Sequence, residues 1–206
     1  MNRFPLITLA AATLLGLASF DAPAQAQWTG AAQRQGAPVT PETLRQTRWI
    51  ADGRDDAPLK VYVFLDANCV YCAKFWADAR PWVDAGKVQL RYIMVAVIAP
   101  TSAGKAATLL GDPDPAKRLA AYERSHAFGV ARMMQGGPRH SMQDASLPPA
   151  VPMPEAIARD LQASEGLMSA LNLRGTPGIV FQRPDGRLVA QSGMPPDGLA
   201  SLFGPP

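Results

Sequence analysis

The first apolar block lies at the N-terminus, where Leu6 to Phe20 is mostly hydrophobic behind a single basic residue, Arg3. Ala24-Gln25-Ala26 follows, the small-x-small pattern at which an export signal is cut. Residues 1–26 are therefore expected to be a cleaved signal peptide, since the run falls short of the roughly 20 apolar residues of a spanning helix. No cysteine follows the run to take a lipid anchor, and no later segment approaches spanning length. Residues 27–39 are polar and rich in Gly, Ala and Gln, the pattern of a loose tail. Thr40-Pro41 then supplies an N-cap and a first-turn proline. The short helix it opens is expected to carry Leu44, Trp49 and Ile50 on one side and to end at Gly53 and the charged Arg54-Asp55-Asp56.

Lys60 to Leu65 is a continuous run of β-branched, aromatic and aliphatic residues, which predicts a buried strand. The chain turns at Asp66-Ala67-Asn68 and enters a helix near Cys69 that carries Phe75, Trp76 and Trp82, with Pro81 as a kink or early stop. A second strand is expected over Val88 to Ala99. Helical periodicity with breaks then runs from Pro100 to about Arg174: one helix opens at Asp114-Pro115 and runs through Tyr122, and another starts at Pro154 and carries Ile157, Leu161, Leu167 and Leu171. Ile179-Val180-Phe181, the turn Arg183-Pro184-Asp185-Gly186 and Leu188-Val189-Ala190 predict a hairpin, and a short helix over about 196–203 closes the chain.

Strand, helix and strand in succession require a right-handed crossover, and the hairpin adds antiparallel strands. This is the order of an α/β protein with a thioredoxin-like fold and a helical insertion, about residues 100–174, between the second strand and the C-terminal hairpin. The expected organisation is a signal peptide (1–26), an N-terminal tail and linker helix (27–58) and one catalytic domain (59–206).

Composition narrows the chemistry. A net charge of +3 spread along 206 residues gives no nucleic-acid footprint. Two cysteines are too few for a disulfide scaffold or, alone, for a four-ligand zinc site. They stand as Cys69-Val70-Tyr71-Cys72, directly after a strand and at the start of a helix. There the unpaired N–H groups and positive end of the helix dipole favour a thiolate over a thiol. Cys69 at the helix mouth is expected to be the exposed nucleophile, and Cys72, a turn deeper, the thiol that resolves a mixed disulfide. An exported chain meets an oxidising compartment, which in a bacterial periplasm makes both thiols redox-active or bonded.

Three blander readings stand beside the redox one. A structural disulfide would close so short a loop that it contributes only about 2 kcal/mol. A metal half-site would need further ligands, and His126 and His140 show no ligand spacing. The third is a pair of reduced core thiols. Asp66 is expected as a turn or helix-start residue, His126 and His140 as exposed or structural, and Met133, Met134, Met142 and Met153 as packing rather than copper ligands. Gly104-Lys105 has no phosphate-binding loop around it. No cofactor and no metal are expected.

Val61 to Cys72 followed by Phe75-Trp76, Trp49-Ile50-Ala51-Asp52-Gly53 upstream, Asp114-Pro115-Ala116-Lys117 and Tyr122-Glu123 downstream, and Gly175-Thr176-Pro177 before the hairpin together resemble the DsbC/DsbG family of periplasmic thiol:disulfide interchange proteins, on its DsbG-like side. The resemblance covers about residues 40–203. It implies Cys69 as attacking and Cys72 as resolving thiol, and a cis Thr176-Pro177 bond that faces them and offers backbone groups to an extended substrate peptide. Tyr71 would shape the adjoining surface, and Val70, standing where the family has other residues, would tune the redox poise. The implied activity is that of a periplasmic thiol–disulfide oxidoreductase of reductase or isomerase type. Its partners would be cysteine-containing secreted proteins and an inner-membrane reductase of the DsbD type. Two departures matter. The short stretch before the first strand leaves no room for the family's dimerisation domain, so a monomer is expected. Val63, six residues before Cys69, also stands where thioredoxins proper carry a buried acid, and only Asp66 is nearby. The alternatives are a DsbA-like oxidase and, from another class, a chaperone-like or copper-binding thioredoxin-fold module.

Overall fold

The computed structural model describes residues 38–140 and 146–206. The expected signal peptide, nearly all of the expected tail and Met142 lie outside the described residues. Among those described, a five-stranded mixed sheet has the order β1-β3-β2-β4-β5, made of β1 (Ile50–Asp52), β2 (Leu59–Leu65), β3 (Val88–Met94), β4 (Gly178–Gln182) and β5 (Leu188–Ser192). β2 and β3 run parallel in the register Leu59↔Val88 to Leu65↔Met94, and every other pairing is antiparallel.

β2 occupies the middle of the sheet because both of its faces are apolar. Val61, Val63 and Leu65 point into one core with Phe75, Leu90, Tyr92 and Ile179. Tyr62 and Phe64 point into a second core with Leu44, Ile93, Met168 and Val180. A strand covered on both sides reads as an unbroken hydrophobic run, as this one does. The first core is covered by α2 (Val70–Asp78), α3 (Arg80–Asp84), α4 (Ser102–Leu110) and α5 (Pro115–Met134). The second is covered by α1 (Pro41–Gln46) and α6 (Glu155–Ala170). α7 (Ala200–Phe203) returns to the first core, where Trp82 donates to the Gly204 carbonyl at 2.9 Å.

Three expected boundaries move. α1 is capped as expected, with the Thr43 amide donating to Thr40 Oγ1 at 3.2 Å, but it ends at Gln46. Ile50–Asp52, expected in the linker helix, instead forms an edge strand paired with β3 through Ile50↔Tyr92. The second strand stops at Met94 rather than Ala99, because the Val97 and Ile98 amides are taken by the Asp66 carboxylate at 2.7 and 2.9 Å instead of a sheet ladder. α5, expected to open at Asp114-Pro115 and run through Tyr122, continues to Met134, and Asp114 caps it by accepting from the Lys117 amide at 3.1 Å.

Candidate functional site

β2 delivers the chain to a tight turn in which the Asn68 amide donates to Asp66 Oδ1 at 2.8 Å and the Cys69 amide to the Asp66 carbonyl at 3.0 Å. Cys69 then stands at the N-cap of α2 with extended backbone angles, and its carbonyl accepts from the amides of Cys72 and Ala73. No side chain caps this helix end, so its free amides are left for the sulfur. Asp66 is more than a turn residue. It is fully buried, and besides the Asn68, Val97 and Ile98 amides its carboxylate accepts from Ser102 Oγ at 2.8 Å. One carboxylate thereby ties the Cys69 turn to the loop after β3.

The two sulfurs sit in unlike surroundings. Cys69 was expected to be exposed, yet it is only 6% accessible, and the Thr176 carbonyl lies against its sulfur. In the thiol form its Sγ donates to the Thr176 carbonyl at 3.2 Å. Its pKa is lowered from 9.0 to about 6, first by a hydrogen bond from Cys72 and then, against the cost of burial, by the Thr176 side chain and the Cys72 and Tyr71 amides. The Thr176 hydroxyl is buried without a partner beside the thiol, and ionisation of Cys69 gives it one. Cys72 is wholly buried, and that burial pushes its thiol well above the ordinary range, with the Cys69 charge acting the same way. One thiol is thus ionised at neutral pH and its neighbour is a protonated donor to it. That is the asymmetry a thiolate nucleophile with a resolving thiol requires.

The remaining predicted residues gather unevenly. Thr176 and Pro177 are brought against Cys69 across more than a hundred residues of chain, and their peptide bond is cis. Tyr71 is 55% exposed beside the site, and Val70 is half-buried at the first position of α2. His126, expected to be exposed or structural, is fully buried, and its Nδ1 lies 3.1 Å from His140 Nε2 in a single hydrogen bond. Lys105, from the Gly104-Lys105 pair, is buried and donates to the Tyr122 hydroxyl at 3.2 Å. Met153 packs against the first core.

Glu123, which enters the resemblance only as part of Tyr122-Glu123, is given no role there. It is 2% exposed on α5, and burial, followed by the Cys69 charge, raises its carboxyl from 4.5 to about 8. Its neighbour Tyr122 anchors the helix beneath the site by donating to the Ala67 carbonyl at 2.5 Å.

A mixed sheet with helices on both faces, a Cys-x-x-Cys at the N-terminus of the helix after β2, and a cis proline against the first sulfur define a thioredoxin-like dithiol protein. No protein-family model matches the chain. Its sequence is 42% identical to the thiol:disulfide interchange protein DsbG of Pseudomonas aeruginosa over 165 residues, 80% of this chain and 58% of that protein. It is 38% identical to the protein of the same name from Escherichia coli K12 over 154 residues, 75% of this chain and 56% of that protein. The chain is a DsbG-like relative of the thiol:disulfide interchange proteins, and it spans less than two thirds of the length of these relatives. The catalytic domain of Proteus mirabilis ScsC shares the fold, with a TM-score of 0.55 at 19% identity over 78% of this chain and 90% of that one. No helix among the described residues is long and apolar enough to cross a membrane.

Proposed function

We propose that this chain is a periplasmic thiol–disulfide oxidoreductase of the reductase or isomerase type, exported by residues 1–26 and acting as a monomer on the cysteines of secreted proteins. The observation that carries the reading is the split between its two thiols, Cys69 lowered to about 6 and Cys72 raised above the ordinary range. Cys69 Sγ attacks a substrate disulfide, and one substrate sulfur leaves as a thiolate. Cys72 then attacks Cys69 Sγ, the Cys69–Cys72 bond forms and the second substrate thiol departs. Two electrons have passed to the substrate, and an inner-membrane reductase of the DsbD type restores the dithiol.

Thr176 and Pro177 dock the substrate beside Cys69. Ionisation of Cys69 removes the thiol proton that occupies the Thr176 carbonyl, leaving that oxygen open to an extended peptide. Tyr71 supplies apolar surface at the rim, and Val70 tunes the poise.

The test is trapping. Cys72→Ala should accumulate mixed disulfides with secreted proteins and Cys69→Ala none; the absence of adducts from Cys72→Ala would remove the reading. A second reading, a DsbA-like oxidase, is favoured by the same low Cys69 pKa, since a stabilised thiolate makes the disulfide more oxidising. The redox state of Cys69 and Cys72 in the periplasm separates the two: reduced for a reductase, oxidised for an oxidase.

A further inference from the structure

Resolution of a mixed disulfide poses a problem at Cys72. The thiol that must become a nucleophile is fully buried, and burial holds its proton on. Neither Val63, buried in the apolar core, nor Asp66, whose carboxylate is occupied by three amides and a hydroxyl, is placed to take that proton. Glu123 is placed differently. α5 packs along α2, Tyr122 fastens it to the turn before Cys69, and Glu123, the next residue, is buried at that interface. Its charge acts on Cys72 and on Tyr92, and the Cys69 charge acts on it. The ionisable groups coupled to it through charge are Cys69 at the N-cap of α2, Cys72 in its first turn and Tyr92 from β3; Lys105 of α4 donates to Tyr122. Tyr92 donates to Oδ2 of Asp52 in β1 at 3.4 Å, and Arg80 of α3 pairs with the same carboxylate at the partly buried edge.

We propose that the Glu123 carboxylate is the buried proton acceptor for Cys72 in the resolving step, a role that rests on the dithiol function proposed above. In that step the Cys72 thiol gives its proton to Glu123 and the new thiolate attacks Cys69 Sγ. The Cys69–Cys72 bond forms, the bond from Cys69 to the substrate sulfur breaks, and its electron pair leaves on the substrate thiolate, which solvent protonates.

The timing follows from electrostatics. In the free dithiol Cys69 carries the negative charge, and that charge helps keep Glu123 protonated. Once Cys69 is tied up in a mixed disulfide its charge is gone, one of the two causes that raise Glu123 disappears, and the carboxyl ionises more readily. Loss of the Cys69 charge therefore makes the Glu123 carboxylate more available at the stage where Cys72 must give up its proton.

The test uses the aromatic disulfide of Ellman's reagent, which releases one coloured thiolate when Cys69 attacks and a second when Cys72 resolves the adduct. Glu123→Gln should leave the first release intact and slow the second on the order of tenfold to a hundredfold at pH 7. It should also remove a step from the pH profile of the second release, with Glu123→Asp restoring part of both. Equal second-phase rates and profiles in wild type and Glu123→Gln overturn this inference alone. A wild type that releases no second equivalent overturns it together with the proposed function. The wild-type chain supplies a measurement that does not depend on the variant folding. The Glu123 carboxyl, followed by isotope-edited infrared spectroscopy, should titrate at lower pH when Cys69 is blocked as a thioether with iodoacetamide, which Cys72 cannot resolve, than in the dithiol. Titration at the same pH in both states overturns the inference.

Discussion

Removal of the Cys72 thiol is the most direct test of what holds the Cys69 thiolate, because the hydrogen bond from Cys72 is the largest of the effects that lower Cys69 to about 6. A hydrogen bond to a charged group is worth about 1.5–3 kcal/mol, and about 1.4 kcal/mol corresponds to one pH unit. Cys72→Ala should therefore raise Cys69 from about 6 into the range of about 7 to 8. At pH 7 the ionised fraction then falls from roughly nine-tenths to between about one-half and one-tenth. Cys72→Ser keeps a hydroxyl donor at the same position and should raise it less. The assay is the rate of iodoacetamide alkylation against pH on reduced protein. Below pH 8 the wild-type rate belongs to Cys69, since burial holds Cys72 well above the ordinary thiol range. If Cys69 in Cys72→Ala titrates where it does in the wild type, the Cys72 bond is not the main support, and the Tyr71 and Cys72 amides with Thr176 hold the thiolate by themselves.

The same shift makes stability depend on redox state and pH. Cys69 has a folded pKa below its unfolded value, so its contribution is fully present above about pH 9 and is lost as pH falls through about 6. Reduced wild type should gain up to about 4 kcal/mol over Cys69→Ser across that window, read by urea denaturation, and a flat difference would contradict the low pKa. Asp66→Ala should cost at least about 3 kcal/mol in the same assay, because it strips the acceptor from three amides and the Ser102 hydroxyl at a buried site; a loss under about 1 kcal/mol would show that those groups find other partners. Gly53→Ala should cost about 1–3 kcal/mol, since Gly53 has φ +105 and an added Cβ would lie 2.8 Å from the Val88 carbonyl oxygen; thermal unfolding at an unchanged temperature would refute this.

The parts of the site that were legible in the sequence are those whose signal is local. β2 is an apolar run because both of its faces are buried, and the Cys69–Cys72 pair is contiguous with it. Thr176-Pro177 is a weaker case. A proline before a strand is common, and only the resemblance linked it to Cys69, which lies more than a hundred residues away in the chain but has its Sγ 3.2 Å from the Thr176 carbonyl. The misplaced ends have tertiary causes. Val95 to Ala99 continues a β-like pattern, but the backbone there leaves the sheet because a carboxylate from another loop offers its amides a better partner than an edge ladder would. Ile50–Asp52 is three residues long, too short for alternation to register, and it is a strand only because β3 is beside it.

Glu123 is the instructive case, because in the sequence it stands only inside the resemblance, as part of Tyr122-Glu123, with no role of its own. With α5 carried to Met134, Leu119, Tyr122, His126 and Val130 form one buried stripe, and Glu123 falls on it, four residues from Leu119. An acid at a core phase of a helix is expensive unless it is paired, occupied or protonated. Asp66 meets that cost with hydrogen bonds, which is why it serves to hold the loops together. Glu123 meets it by holding its proton up to about pH 8, and a carboxyl that titrates near neutrality beside a buried thiol is suited to exchanging that proton. Two buried acids near one pair of cysteines therefore divide the work, and the division follows from how each is solvated by the protein rather than from its distance along the chain to Cys69.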